Sequence, residues 1–138
     1  PIKQSFNINN TIEQLASLYP LTFITQSSKM FISADESQIE QLLINLLKNA
    51  IQASSEIPIQ ISLDKNNDEL SLIIRDFGAG MSPSVMQKAF LPYYSTKTEG
   101  SGIGLSICRE VVEAHEGTIS LINHPEGGLQ VLIKLPLN

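Results

Sequence analysis

Asp35-Glu36-Ser37-Gln38-Ile39-Glu40-Gln41-Leu42-Leu43-Ile44-Asn45-Leu46-Leu47-Lys48-Asn49-Ala50-Ile51-Gln52-Ala53 is the stretch on which the fold turns. At about 100° per residue, Ile39, Leu42, Leu43, Leu46, Leu47 and Ala50 fall on one face, and Gln41, Asn45, Lys48, Asn49 and Gln52 on the other. The spacing predicts a helix opened by Asp35 and running to about Ala53. Asp35 followed by Gln38 resembles a capping box. Asn45 and Asn49 are four apart, so their amides lie one above the other. Most polar helix faces are simply solvated. Asn is a mediocre helix former, however, and two of them one turn apart in mid-helix are unusual. Asn49 also sits at the edge of the apolar stripe, beside Leu42 and Leu46. A side-chain amide oxygen there suits a hard cation, with phosphate oxygens and water completing the shell.

On the N-terminal side, Gln4–Ile8 reads as a short strand. Asn9 or Asn10 is expected to cap a helix reaching about Leu18, with apolar Ile12, Leu15 and Ala16. Leu21–Thr25 and Met30–Ile32 read as β. On the C-terminal side, Pro58–Leu63 and Leu70–Asp76 are β-rich, and Lys65-Asn66-Asn67-Asp68 between them is a hairpin turn signal. Residues 77–104 are rich in Gly, Pro, Ser and Thr, with a short helix expected at about Ser84–Phe90. A helix at about Ile103–Ala114 follows. Two strands, Thr118–Asn123 and Leu129–Leu135, then join through Pro125-Glu126-Gly127-Gly128. Several strands are hairpin-connected, which excludes a uniformly parallel, doubly wound sheet. The expected fold class is α/β (α+β), a two-layer sandwich in which about three helices cover one face of a mixed, mostly antiparallel sheet.

The chain has 138 residues, one domain by length. With 42% hydrophobic and 17% charged residues, its balance is globular rather than disordered. No apolar run approaches the roughly 20 residues needed to cross a bilayer. The opening Pro1-Ile2-Lys3-Gln4-Ser5-Phe6-Asn7-Ile8-Asn9-Asn10 lacks the basic and apolar blocks of a signal peptide. It also lacks an initiator Met, so a piece of a longer protein is expected. Cys108 is the single cysteine, which leaves no internal disulfide or Cys-rich zinc site and fits a reducing compartment. A net charge of −5 argues against non-specific nucleic-acid binding. An anionic ligand then needs a local positive field.

Two glycine-rich segments stand out. Asp76-Phe77-Gly78-Ala79-Gly80-Met81 follows a strand. An Asp there can accept a hydrogen bond from an exocyclic amine, and the glycines permit a sharp turn and close approach to a ligand. A plain turn would read the same way. The triplet Asp76-Phe77-Gly78 imitates a protein-kinase metal motif, but the accompanying kinase motifs are absent. Gly100-Ser101-Gly102-Ile103-Gly104-Leu105 runs into a helix, and backbone N–H groups at such a terminus attract anions. It is neither a Walker A loop nor a dinucleotide fingerprint. Between the two lies Ser82–Ser101, polar and long enough to suggest function. It carries Lys88 and Lys97 against Glu99, a net positive patch in an acidic chain. Phe90, Tyr93 and Tyr94 are candidate anchors for it.

The order Asn45-Leu46-Leu47-Lys48-Asn49-Ala50, Asp76-x-Gly78-x-Gly80, Phe90, Gly100-x-Gly102-x-Gly104-Leu105 resembles the asparagine, first glycine, phenylalanine and second glycine boxes of the sensor histidine-kinase catalytic domain. That domain has the Bergerat ATP-binding fold, shared with gyrase, a heat-shock chaperone and mismatch-repair ATPases. The resemblance spans Phe6 to Pro136 and includes His115-Glu116-Gly117 and the closing Leu135-Pro136. Phe90-Leu91-Pro92-Tyr93-Tyr94-Ser95-Thr96-Lys97, with Gln52-Ala53, is most similar to the short-lid subclass that includes nitrogen-regulation sensor kinases. The resemblance implies one catalytic and ATP-binding domain over 1–138, with an ATP lid at about 82–101. It implies that Asn49 coordinates Mg²⁺ on the ATP phosphates with Asn45 assisting, and that Asp76 accepts from the adenine amino group. Gly78 and Gly80 would form the nucleotide-side turn, and Gly102 and Gly104 the phosphate-side turn. Lys48 and Lys97 would neutralise phosphate, and Ala53, Met81, Phe90, Gly100, Ser101, Ile103 and Leu105 would complete the nucleotide contacts. There are two departures: Gln52 stands where many relatives are basic, and Glu116 stands where the usual motif has glycine.

The implied activity is transfer of the ATP γ-phosphate to a histidine, within two-component signalling. ATP-hydrolysing relatives of this fold place a Glu one turn before the metal-binding Asn. Asn45 stands there instead and cannot act as a general base near neutral pH. A non-catalytic nucleotide sensor is the other alternative. His115, at a helix end, and His124, in a turn, are expected to be structural. The acceptor His is then expected on a dimerisation hairpin outside this chain. A response regulator is the implied partner, and nucleic acid is not. The full-length protein is expected to be a homodimer and this domain a monomer. The expected compartment is the cytoplasm, with any membrane attachment through other segments.

Overall fold

The computed structural model describes residues 1–54, 57–92 and 104–137. In chain order the elements are β1 (Gln4–Asn7), α1 (Ile8–Ala16), β2 (Leu21–Thr25), β3 (Phe31–Ala34), α2 (Glu36–Ala53), β4 (Ile59–Asn66), β5 (Glu69–Arg75), α3 (Pro83–Lys88), α4 (Gly104–Ala114), β6 (Thr118–Asn123) and β7 (Leu129–Pro136). Among the described residues, β1 and β3 form a small antiparallel sheet, and the main sheet has the order β2-β4-β5-β7-β6. Its β2–β4 pair is parallel, and the other three pairs are antiparallel. The parallel pair needs a long crossover, and α2 lies within it.

Alternation decides which sheet face is covered. Ile59, Ile61 and Leu63 of β4, Leu70, Leu72 and Ile74 of β5, and Val131, Ile133 and Leu135 of β7 are buried. They share one core with the apolar stripe of α2, whose Ile39, Leu42, Leu43, Leu46, Leu47 and Ala50 are all buried, as the helical spacing predicts. α1 packs near β2 and α4 between α2 and β6. α3 buries none of its residues. The architecture is the expected mixed, mostly antiparallel sheet with helices on one face.

Local differences have physical causes. α1 is capped by Asn7, not by Asn9 or Asn10: Asn7 Oδ1 accepts from Asn9 N–H at 3.1 Å and from Met30 N–H at 2.9 Å. Asn9 is instead buried, with Nδ2 donating to the Ser27 carbonyl. The strand expected at Met30–Ile32 lies at Phe31–Ala34, because its register is set by pairing with Gln4–Asn7. Asp35 does cap α2, Oδ1 accepting from Gln38 N–H at 3.3 Å. The second arm of the capping box is replaced, since Asp35 N–H donates to His115 Nε2 at 3.0 Å.

The end of α4 explains the departure at Glu116. Gly117 N–H donates to Val112 O and Glu116 N–H to Glu113 O, both at 3.0 Å, the paired bonds of a Schellman motif. Glu116 occupies its left-handed position with φ 62°, where glycine carries no Cβ penalty. Gly117 is required by packing, since a Cβ there would meet the Lys134 carbonyl.

Candidate functional site

Asp76 follows β5 directly and is 6% exposed. Its N–H donates to the Leu129 carbonyl at 3.0 Å. Its Oδ1 accepts from Leu129 N–H and from Gly78 N–H, each at 3.0 Å. Among the described residues, both hydrogen bonds to this carboxylate fall on Oδ1, which leaves Oδ2 as an acceptor for an external donor. Gly128 (φ 89°) lets the strand approach this closely, because a Cβ there would collide with the Asp76 carbonyl.

The turn after Asp76 is held from two sides. On the α2 side, Phe77 N–H donates to Ser54 Oγ at 2.8 Å, and a Cβ at Gly78 would strike the Ala53 carbonyl. On the hairpin side, Asn123 makes two hydrogen bonds with the Met81 backbone, and Gly80 has φ 77°. Arg75 lies over the Phe77 ring, 4.3 Å from its centroid. The C-terminus of α2, the end of β5 and the β6–β7 hairpin therefore converge on 76–81. They bring together Ala53, Asp76, Gly78, Gly80 and Met81 from the sequence-derived set. Ser54, Asn123 and Leu129 were missed. Nothing in their residue types signals a site, and Gly127-Gly128 read only as a turn.

Asn45 and Asn49 are half-buried on α2, and Asn45 Oδ1 accepts from Gln41 Nε2 at 3.3 Å. Lys48, Gln52 and Ala53 are exposed. Half-buried Phe90 lies under Arg109, 5.4 Å from its ring centroid, and Arg109 pairs with Glu113 at 3.3 Å. Gly104 opens α4, and Leu105 packs against the core. Tyr93, Tyr94, Lys97, Gly100, Ser101, Gly102 and Ile103, and with them much of the expected lid at 82–101, lie outside the described residues.

Both histidines lie in structural positions. His115 is 4% exposed; its Nε2 accepts from Asp35 N–H, so its Nδ1 donates to the Val111 carbonyl at 2.8 Å. The ring is the neutral tautomer and ties the end of α4 to the start of α2. His124 Nδ1 accepts from Glu126 N–H within the hairpin loop. An open depression near the start of α2, lined by Ile2, Gln4, Asp35, Ser37 and Glu40 among others, shares no residue with the cluster at 76–81. Among the described residues, no group of three or more His, Cys, Asp or Glu could hold a metal alone. A cation here would depend on amide and ligand oxygens. No described helix is long and apolar enough to cross a membrane.

Residues 34–138 match the family model described as histidine kinase-, DNA gyrase B-, and HSP90-like ATPase. Sporulation kinase B of Bacillus subtilis (strain 168) is 35% identical over 144 residues, covering 97% of this chain and 34% of that protein. The chain thus spans about a third of that relative's length. The catalytic domain of the histidine kinase ThkA superimposes with a TM-score of 0.89 at 30% identity, covering 98% of this chain and 95% of that domain. ThkA in complex with the response regulator protein TrrA matches with a TM-score of 0.85 at 27% identity, over 99% of this chain and 42% of that one. Shared fold, near-complete overlap with a catalytic domain and the family match agree: the chain belongs to the histidine kinase-, DNA gyrase B- and HSP90-like ATPase family, among the catalytic domains of histidine kinases.

Proposed function

We propose that this domain binds Mg²⁺-ATP at the cluster around Asp76 and presents the γ-phosphate to a histidine on a separate dimerisation hairpin. The observation that carries this is the Asp76 carboxylate: among the described residues, two backbone N–H groups pin Oδ1 and no hydrogen bond falls on Oδ2. A pure acceptor at a buried strand end suits the 6-amino group of adenine. The donor set fits the nucleotide and metal: a carboxylate for the base, glycines where the turn is crowded by Ala53 and Asn123, and amide oxygens of Asn45 and Asn49 for a hard cation. When bound, ATP supplies the phosphoryl group and Mg²⁺ neutralises its charge.

The chain's own residues then bind and orient. Asp76 fixes the base, Gly78, Gly80 and Met81 shape the turn beneath it, and Ala53 backs that turn. Asn49, with Asn45, holds the cation, and Lys48 and Lys97 offset phosphate charge. Phe90 and residues 100–105 belong to the lid and phosphate side. Asn45 cannot serve as a general base, so the domain favours transfer to an external acceptor over hydrolysis. In the full-length protein, we place the domain on the cytoplasmic side, passing phosphate through its hairpin to a response regulator.

The test is incubation with γ-labelled ATP, alone and with a cognate hairpin fragment. The lone domain should neither retain label nor release phosphate rapidly, and the hairpin should become labelled at histidine. Rapid phosphate release would move the domain to the hydrolysing branch of the family. Stable label on the lone domain would assign an acceptor role to His115 or His124.

A further inference from the structure

Asn123 closes β6 with its side chain against the backbone of Met81. Met81 N–H donates to Asn123 Oδ1 at 2.9 Å, and Asn123 Nδ2 donates to the Met81 carbonyl at 2.7 Å. This is the reciprocal exchange of paired strands, made by a side chain in place of a second backbone. Gly80 is matched to it: a Cβ on Gly80 would run into Asn123 Oδ1, and its φ of 77° already favours glycine. Asn123 is also the register partner of Leu129, whose N–H pins Asp76 Oδ1. One rung of the β6–β7 hairpin therefore holds both ends of the turn, Asp76 through Leu129 and Met81 through Asn123.

We propose that Asn123 is a positioning residue for the nucleotide base, fixing the far end of the 76–81 turn relative to the Asp76 carboxylate. The inference rests on the nucleotide-binding reading of the site and deepens it. Asn123 is exposed and its clamp reaches only one loop, so its loss is felt at that loop more than in global stability. The base end of the ligand carries the effect, and the metal end does not.

The experiment compares wild type, Asn123→Ala and Asn123→Asp by calorimetry with ADP, with and without Mg²⁺, and by thermal unfolding without nucleotide. Asn123→Ala should bind ADP about tenfold more weakly, on the scale of one or two lost hydrogen bonds. The factor should be the same with and without Mg²⁺, with the unfolding midpoint close to wild type. Asn123→Asp keeps the acceptor for Met81 N–H but sets a carboxylate against the Met81 carbonyl, and should lose affinity by an intermediate factor. ADP affinity of Asn123→Ala within twofold of wild type would overturn the proposal, as would a loss confined to the Mg²⁺ titration. If Asn123→Ala does not fold, Asn123→Asp decides, and unchanged affinity there overturns the proposal. Wild type that fails to bind ADP would defeat the nucleotide-binding reading itself and this inference with it.

Discussion

Asp76→Asn inverts a polarity that the fold holds in one orientation. Leu129 N–H and Gly78 N–H both donate to Oδ1 at 3.0 Å, so an amide at this position must place its oxygen there. The Nδ2 group then takes the place of Oδ2 and, in the proposed complex, would face the adenine amine donor to donor. Free choice of rotamer would leave half the molecules competent; the two backbone donors remove that choice. Losing a hydrogen bond to a charged acceptor costs about 1.5–3 kcal/mol, which is ~10- to ~150-fold in affinity. Because the orientation is fixed, the upper part of that range applies. The same inversion makes a specific gain. Inosine carries a 6-oxo acceptor in place of the amine, and Nδ2 can donate to it. Calorimetric titration of ADP and IDP against wild type and Asp76→Asn should show the ADP-to-IDP preference falling by more than about tenfold, the weight of one such hydrogen bond. The fold should survive, since an amide oxygen still accepts from both backbone donors. ADP affinity within twofold of wild type, or an unchanged ADP-to-IDP ratio, would refute the assignment of Oδ2 to the base.

Asn49→Ala should remove the Mg²⁺-dependent part of ADP binding, with Lys48→Ala giving a smaller loss; titrations with and without Mg²⁺ separate the two, and retained Mg²⁺ dependence would leave α2 with an ordinary solvated face. Glu116→Gly should stabilise the domain by about 0.5–1 kcal/mol, because relief of the left-handed strain exceeds the added unfolded-state entropy, and a lower urea midpoint would contradict the Schellman geometry. His115→Leu should cost about 1–3 kcal/mol by orphaning the half-buried Asp35 N–H, yet leave ADP affinity unchanged in the same folded sample. Burial pushes the Cys108 thiol from its ordinary 9.0 up to about 12. The fold therefore favours the protonated thiol: that contribution is full below pH 9.0 and is lost as pH rises through about 12. Native protein at pH 8 should accordingly resist thiol reagents, and Cys108→Ala should show a shallower alkaline loss of stability than wild type.

What was legible in the sequence is what a single period or a single cap encodes. The stripe Ile39–Ala50, the Asp35 cap and the strand alternations of β4, β5 and β7 needed only local geometry, and they fixed both layers. Motif order then reached the Asp76 turn, because glycines are forced wherever backbone meets backbone: at Gly78 against Ala53, and at Gly128 against Asp76. The first cap was misplaced because Asn7, Asn9 and Asn10 are equivalent in isolation. The choice falls to Asn7 because Met30, just ahead of β3 and 23 residues along the chain, supplies a second donor to its Oδ1. The other arm of the α2 capping box failed for the same reason: His115, far along the chain, reached the Asp35 N–H before Gln38 did.

The supports of the site follow one rule. A residue proposed to grip ligand through a polar group must carry a chemistry, and Asp76, Asn45 and Asn49, in the proposed reading, announce theirs by type and spacing. A residue that holds the backbone of such a turn needs only a hydroxyl, an amide or its own N–H in the right place, and many positions could offer one. Ser54, Asn123 and Leu129 are therefore silent in the sequence, although together they make the hydrogen bonds that fix both flanks of 76–81. Their positions are set by where α2 ends and by the Asn123–Leu129 rung of the hairpin. On the proposed reading of the site, selectivity for the base would depend on the length of one helix and the register of one hairpin as directly as on the carboxylate itself. A one-residue slip in β6–β7 would turn Asn123 away from Met81.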